Sequence, residues 1–112
     1  MTALSCSETQ VLVLRVVGEI DLVTIGLLRD HLHEHLPRAQ RGVVLDCTEV
    51  SFLSACGVGL LVEIAEQARA DGLALRLVAQ SRVVVRALEV TGVDGVVPRA
   101  PTVAQAVVQC SA

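Results

Sequence analysis

The sequence predicts an α/β fold, a mostly parallel or mixed sheet of four to five strands with about four helices packed on it. Three observations carry this. Short aliphatic or β-branched runs alternate with stretches whose apolar residues recur at helical spacing. Glycine, proline or aspartate marks most of the boundaries between them. Strands that alternate with helices are joined by crossovers, and crossovers lay helices against a parallel sheet.

Val11–Val17 is rich in β-branched residues and stops at Gly18, so it reads as a strand. Glu19–Val23 is a connection, and Thr24 is placed to cap the next helix. In that helix Ile25, Leu28, Leu32 and Leu36 form the apolar stripe, and Pro37 ends it. Gly42 precedes Val43–Asp46, a buried-type strand; a polar loop follows, after which Phe52 and Leu53 point back into the core. Gly57 to Ala70 is a second helix with Leu61, Ile64, Ala65 and Ala68 inward, stopped by Asp71-Gly72. Leu73–Ala79 is a strand. Ser81 opens a third helix with Val84, Val85 and Leu88 inward and Gly92 at its end. Val93–Val97 is a short edge strand, and Pro101-Thr102 starts a last helix over Val103–Val108. The extreme N-terminal residues can add an antiparallel edge strand.

The 112 residues fit one domain, 1–112, with its core at about 11–108. The chain is 53% apolar, nearly all of it aliphatic, and Phe52 is the only aromatic. Base-stacking platforms for single strands or RNA are therefore excluded. A net charge of −3 without a Lys/Arg cluster argues against nucleic acid and anionic membrane as partners. Val11–Val17 is far too short to span a bilayer. Cys6, Cys47, Cys56 and Cys110 form no CxxC pair, and no secretory signal precedes them. A reducing cytoplasm is the expected compartment.

Four groups of residues invite chemistry. His31 and His35, four apart, share a helix face with the spacing of a metal pair. His33 and Glu34 point elsewhere on this pattern, so the pair lacks a third ligand and no metal is expected. Gly57-Val58-Gly59 opens a helix whose free N–H groups can bind an anion. A dinucleotide fingerprint fails because Val62 stands where its third glycine belongs, and no Gly-Lys-Ser/Thr follows for a P-loop. The other reading of these glycines is a tight turn that lets the helix pack closely. Cys56 lies before a helix start, where thiolates are favoured, but no histidine neighbours it in sequence. Cys47 reads as a core hydrophobe. Asp21 and Asp46 follow predicted strands, which places them with Thr24, Thr48, Ser51 and Ser54 on a polar rim around the Gly57 helix. They serve either as acid/base groups or, as favoured here, as turn caps.

Gly18-Glu19-Ile20-Asp21-Leu22-Val23-Thr24 resembles the GELDxxT opening of STAS domains, the family of anti-sigma factor antagonists. Val43–Leu53 resembles their IVLDLSxVxFM segment. Ser54-Ala55-Cys56-Gly57-Val58-Gly59-Leu60-Leu61 falls where the family has DSSGLGVL, and Ser81 to Val93 is similar to SPxVxRxLxLTGL. The resemblance runs from about Val11 to Val108. It implies a non-enzymatic, cytoplasmic regulatory module without cofactor. Such a module binds an anti-sigma factor that is a GHKL-type serine kinase, and so controls release of a sigma factor. In the family, phosphorylation of a serine in the DSSG turn blocks that binding. Here Ser54 stands at the family's aspartate, Ala55 at the phosphoserine and Cys56 at the next serine, so the usual acceptor is missing.

The expected contact surface is Ser54, Ala55, Cys56, Gly57 and Gly59, with Val58, Leu60 and Val62 as an exposed helix face and Asp21 and Thr24 as its rim. Ser51, Ser54 and Cys56 are the alternative modification sites. A module binding a nucleotide or small anion, a subunit of a lipid-transport or stress-signalling complex, and a thiol sensor at Cys56 remain as other uses. The expected state is a monomer or weak homodimer.

Overall fold

Alternate residues of the central strands face opposite helix layers. In β2 (Val11–Ile20), Leu12, Leu14 and Val16 face one side and Val11 and Val13 the other. Val43, Leu45 and Cys47 are separated from Val44 in the same way in β3 (Gly42–Leu53), as are Leu75 and Leu77 from Val78 in β4 (Ala74–Val78). The first side packs on α1 (Ile25–His35), α2 (Ala55–Ala70) and α3 (Arg82–Val90), the second on α4 (Val103–Ser111). Burial on both faces is why these strands read as continuous apolar runs. The computed structural model describes residues 2–8, 11–93 and 95–111.

The sheet runs β1-β2-β3-β4-β5. β1 (Thr2–Glu8) is antiparallel to β2, the expected N-terminal edge, and β2, β3, β4 and β5 (Arg99–Ala100) are mutually parallel. Each crossover joins neighbouring strands, and connections of one hand put all three crossover helices on one face. The core among the described residues is wholly apolar. A fully buried leucine such as Leu32 or Leu77 contributes about 1.5–3 kcal/mol.

Several boundaries differ from the sequence expectation. Glu19 and Ile20 belong to β2 rather than to a connection. β3 runs unbroken from Gly42 to Leu53, with no polar loop after Asp46. Its register against β2 moves from Arg15↔Asp46 to Val17↔Glu49, and again from Gly18↔Val50 to Glu19↔Phe52. Each irregularity gives β3 one extra residue, so Cys47, Val50 and Leu53 face the helices at three-residue spacing. Phe52 thereby points away from that core and is 45% exposed. The described residues of the strand expected at Val93–Val97 do not form one: the Val93 carbonyl accepts from both Val96 and Val97 N–H, and the edge strand is Arg99–Ala100. Val97 still plugs the core. α4 extends three residues beyond Val108, to Ser111.

Since β4 ends at Val78, opposite Asp46, the C-terminal halves of β2 and β3 project past it. The candidate site sits at the tip of this projection.

Candidate functional site

α2 begins at Ala55, two residues earlier than the sequence suggests. Ser54 is its N-cap, extended in backbone, with Oγ accepting from the Gly57 N–H at 3.2 Å. Its own N–H donates to the Ile20 carbonyl at 2.9 Å, which ties the helix start to the end of β2. Contact there is so close that a Cβ on Gly57 would stand 2.7 Å from Leu53 Cδ1 and 2.8 Å from Ile20 Cγ2. A Cβ on Gly59 would meet nothing within 4 Å. Gly57 is thus the close-packing glycine, and Gly59 is exposed. The Ser54 hydroxyl and carbonyl already take the Gly57 and Val58 N–H groups, which reduces what this terminus can offer an anion.

Across the strand ends, residues 21–24 form a self-bonded turn. Asp21 Oδ1 accepts from the Val23 and Thr24 N–H groups, each at 3.0 Å. The Thr24 hydroxyl accepts from Asp21 N–H at 3.0 Å. Its one proton has two acceptors in reach, the Glu19 carbonyl at 2.8 Å and Asp21 Oδ1 at 3.1 Å. Thr24 occupies the N-cap position of α1 but makes no side-chain bond to the helix, so it fixes the turn instead of capping. The Thr24 amide foremost, with the Thr24 hydroxyl and Val23 amide, holds the Asp21 carboxyl below its ordinary value, against a partial desolvation that raises it.

A carboxyl lowered by folding stabilises the turn above the unfolded value of about 3.9. That contribution fades as pH falls through the lower folded value. In an acid titration, the Val23 and Thr24 amide resonances are therefore expected to move with a midpoint below the ordinary carboxyl value of about 3.9. A midpoint at or above that value contradicts the assignment.

This turn presents apolar side chains to water: Leu22 is 80% exposed, Val23 88%, and Leu27 in the first turn of α1 54%. Scattered exposed apolar residues are ordinary, but these three fall within six positions just after Ile20, whose carbonyl holds the α2 start, and give this turn an apolar patch. The sequence reading missed them, although two apolar residues between Asp21 and Thr24 were a usable signal.

The remaining expected site residues separate. Ala55 and Gly59 are exposed, and Ser54 and Cys56 are half-buried, with Ser54 Oγ 3.0 Å from Cys56 Sγ. Gly57 is buried, and so are Val58 and Leu60, at 4% and 2% exposure; Val62 is half-buried against the core. They pack between the sheet and neighbouring helices, so the exposed helix face expected of Val58, Leu60 and Val62 does not exist. Asp46 and Thr48 lie inside β3, bonded to each other, about 20 Å of strand before Leu53, and are not part of a rim. Ser51 is exposed on β3. Only Asp21, Thr24 and Ser54 of the expected rim meet here.

Cys47 is inert by burial, its thiol pushed up to about 12 by desolvation and secondarily by Asp46. Cys110 is raised mainly by desolvation. The side chain of Cys6 lies outside the described residues. Glu34, expected to face away from the histidine pair, stands with it: one ligand atom each of His31, Glu34 and His35 lie within 4.8 Å of one another.

The STAS domain family model matches residues 7–106, and the chain belongs to this family. A Mycobacterium tuberculosis protein assigned as an anti-anti-sigma factor is 33% identical over 77% of the chain and 66% of its own length. The chain therefore spans a little under two thirds of that relative. The crystal structure of an anti-sigma factor antagonist from Mycobacterium paratuberculosis superposes with a TM-score of 0.89 at 27% identity, covering 99% of this chain and 94% of the other. A Thermotoga maritima protein assigned the same role shares the fold, with a TM-score of 0.86 at 19% identity over 96% and 94% of the two chains. No helix among the described residues is long and apolar enough to cross a membrane.

Proposed function

We propose that this chain is a non-enzymatic antagonist that binds an anti-sigma factor of the GHKL serine-kinase type. It does so in the cytoplasm as a monomer or weak homodimer, and is not switched by phosphorylation at the family's usual position. The observation that carries this is Ala55: an exposed first residue of a capped helix, without a hydroxyl, whose N-cap Ser54 is tied to Ile20 at the strand end that leads into the exposed apolar residues Leu22, Val23 and Leu27. The contact surface is that patch together with Ser54, Ala55, Cys56 and Gly59, held in place by the Asp21–Thr24 turn. Apolar groups at the centre with polar groups around them suit a protein partner.

Phosphate here would set about two negative charges inside the contact. Without an acceptor at Ala55, binding is governed by the amounts of the two proteins. A complex with the cognate kinase is expected to survive incubation with ATP and magnesium, followed by size-exclusion chromatography and intact-mass measurement. Phosphorylation at Ser51 or Ser54 that dissolves the complex would overturn the constitutive reading.

A further inference from the structure

We propose that α1 carries a divalent transition-metal site made of His31, Glu34 and His35. Positions 31, 34 and 35 are spaced by three and four residues, so they lie on one stripe of the helix. The rings of His31 and His35 stack face to face, 6.3 Å between centroids and 2° from parallel. Their ligand atoms and a Glu34 carboxylate oxygen fall within 4.8 Å of one another. A tetrahedral ion with bonds near 2.0–2.2 Å needs donors about 3.3 Å apart, so side-chain rotation closes at most about 1.5 Å.

A second observation is independent of this spacing. His35 Nδ1 is buried and has no hydrogen-bond partner among the described residues. A buried ring nitrogen that has lost water without gaining a partner is costly, and a coordinated cation is one group that satisfies it. Two imidazoles and one carboxylate are the donor set of zinc, and of cobalt, nickel or copper; magnesium and calcium prefer oxygen alone. Three protein ligands leave one position for water. The stripe begins seven residues after Thr24, about 10 Å along the helix, so metal binding does not rest on the partner surface proposed above.

The test is a zinc titration of the isotopically labelled chain under a non-thiol reductant, reading the imidazole nitrogens by NMR. Saturable shifts at His31 and His35, with His33 unmoved, are expected at one equivalent. Loss of a group that merely supports a ligand costs about 10–100-fold in affinity. His31→Ala and His35→Gln should therefore weaken zinc binding at least about tenfold. Glu34→Gln should weaken it by a similar factor and His33→Ala should leave it unchanged, with circular dichroism confirming that each variant folds. Magnesium should produce no shift. Imidazoles unmoved by excess zinc, a zinc response confined to cysteine thiols, or a His33→Ala loss equal to that of His31→Ala would each overturn the site.

Discussion

Gly57→Ala is expected to destabilise the fold by about 1–3 kcal/mol, and Gly59→Ala to stabilise it by about 0.5–1 kcal/mol. Both glycines lie in the first two turns of α2, so intrinsic helix propensity favours alanine at each by a similar amount. What separates them is space. An added Cβ at Gly57 lands 2.7 Å from Leu53 Cδ1, 2.8 Å from Ile20 Cγ2 and 3.3 Å from the Ile20 carbonyl oxygen. Leu53 and Ile20 are themselves buried, so relief requires the helix start to lift from the strand ends. That strains the Ser54–Ile20 bond which fixes the turn. At Gly59 the same methyl meets nothing within 4 Å and only restricts the unfolded chain. Urea unfolding of both variants with equal m-values measures the difference. Shifts of the same sign would remove Gly57 from its packing role. Because Gly59 lies four residues after Ala55, on the same helix face, Gly59→Ala also probes the partner surface without loss of stability.

Those two glycines illustrate how much was legible beforehand. The glycine pair marked a helix start, but spacing could not say which one approaches the sheet. Reading a strand from a short apolar, β-branched run worked for Val11–Val17 because both faces of β2 are covered there. It failed in β3, where two extra residues move the inward positions to Cys47, Val50 and Leu53, and the polar residues between them mimicked a loop. Val58 and Leu60 were assigned outward because the Leu61–Ile64–Ala65–Ala68 stripe already filled one helix face. α2 lies between the sheet and both neighbouring helices, so its buried face is wider than one stripe. For the site, Ser54, Ala55, Asp21 and Thr24 could be picked out from the sequence. The exposed Leu22 and Val23 left only the hint of two apolar residues between Asp21 and Thr24, and Leu27 left none, since exposure is a property of the assembled turn.

Ala55→Glu is expected to weaken binding of the proposed anti-sigma factor partner about 100-fold, close to 3 kcal/mol, without loss of fold stability. The two effects separate for a physical reason. Residue 55 is exposed and is the first residue of α2, where a carboxylate meets the positive end of the helix and gains about 0.3–1 kcal/mol. A bound partner removes the water that screens this charge, and a desolvated charge without a counter-ion costs several kcal/mol. Thermal unfolding should thus show an unchanged or slightly raised midpoint while calorimetry shows the lost affinity. Ala55→Ser supplies the missing hydroxyl at the same exposed position. With the kinase and ATP it should gain one phosphate and leave the complex, whereas the natural chain stays bound. If Ala55→Glu binds as tightly as the natural chain, residue 55 lies outside the contact and the proposed surface is wrong. If Ala55→Ser is phosphorylated yet stays bound, the surface stands but its charge does not set affinity.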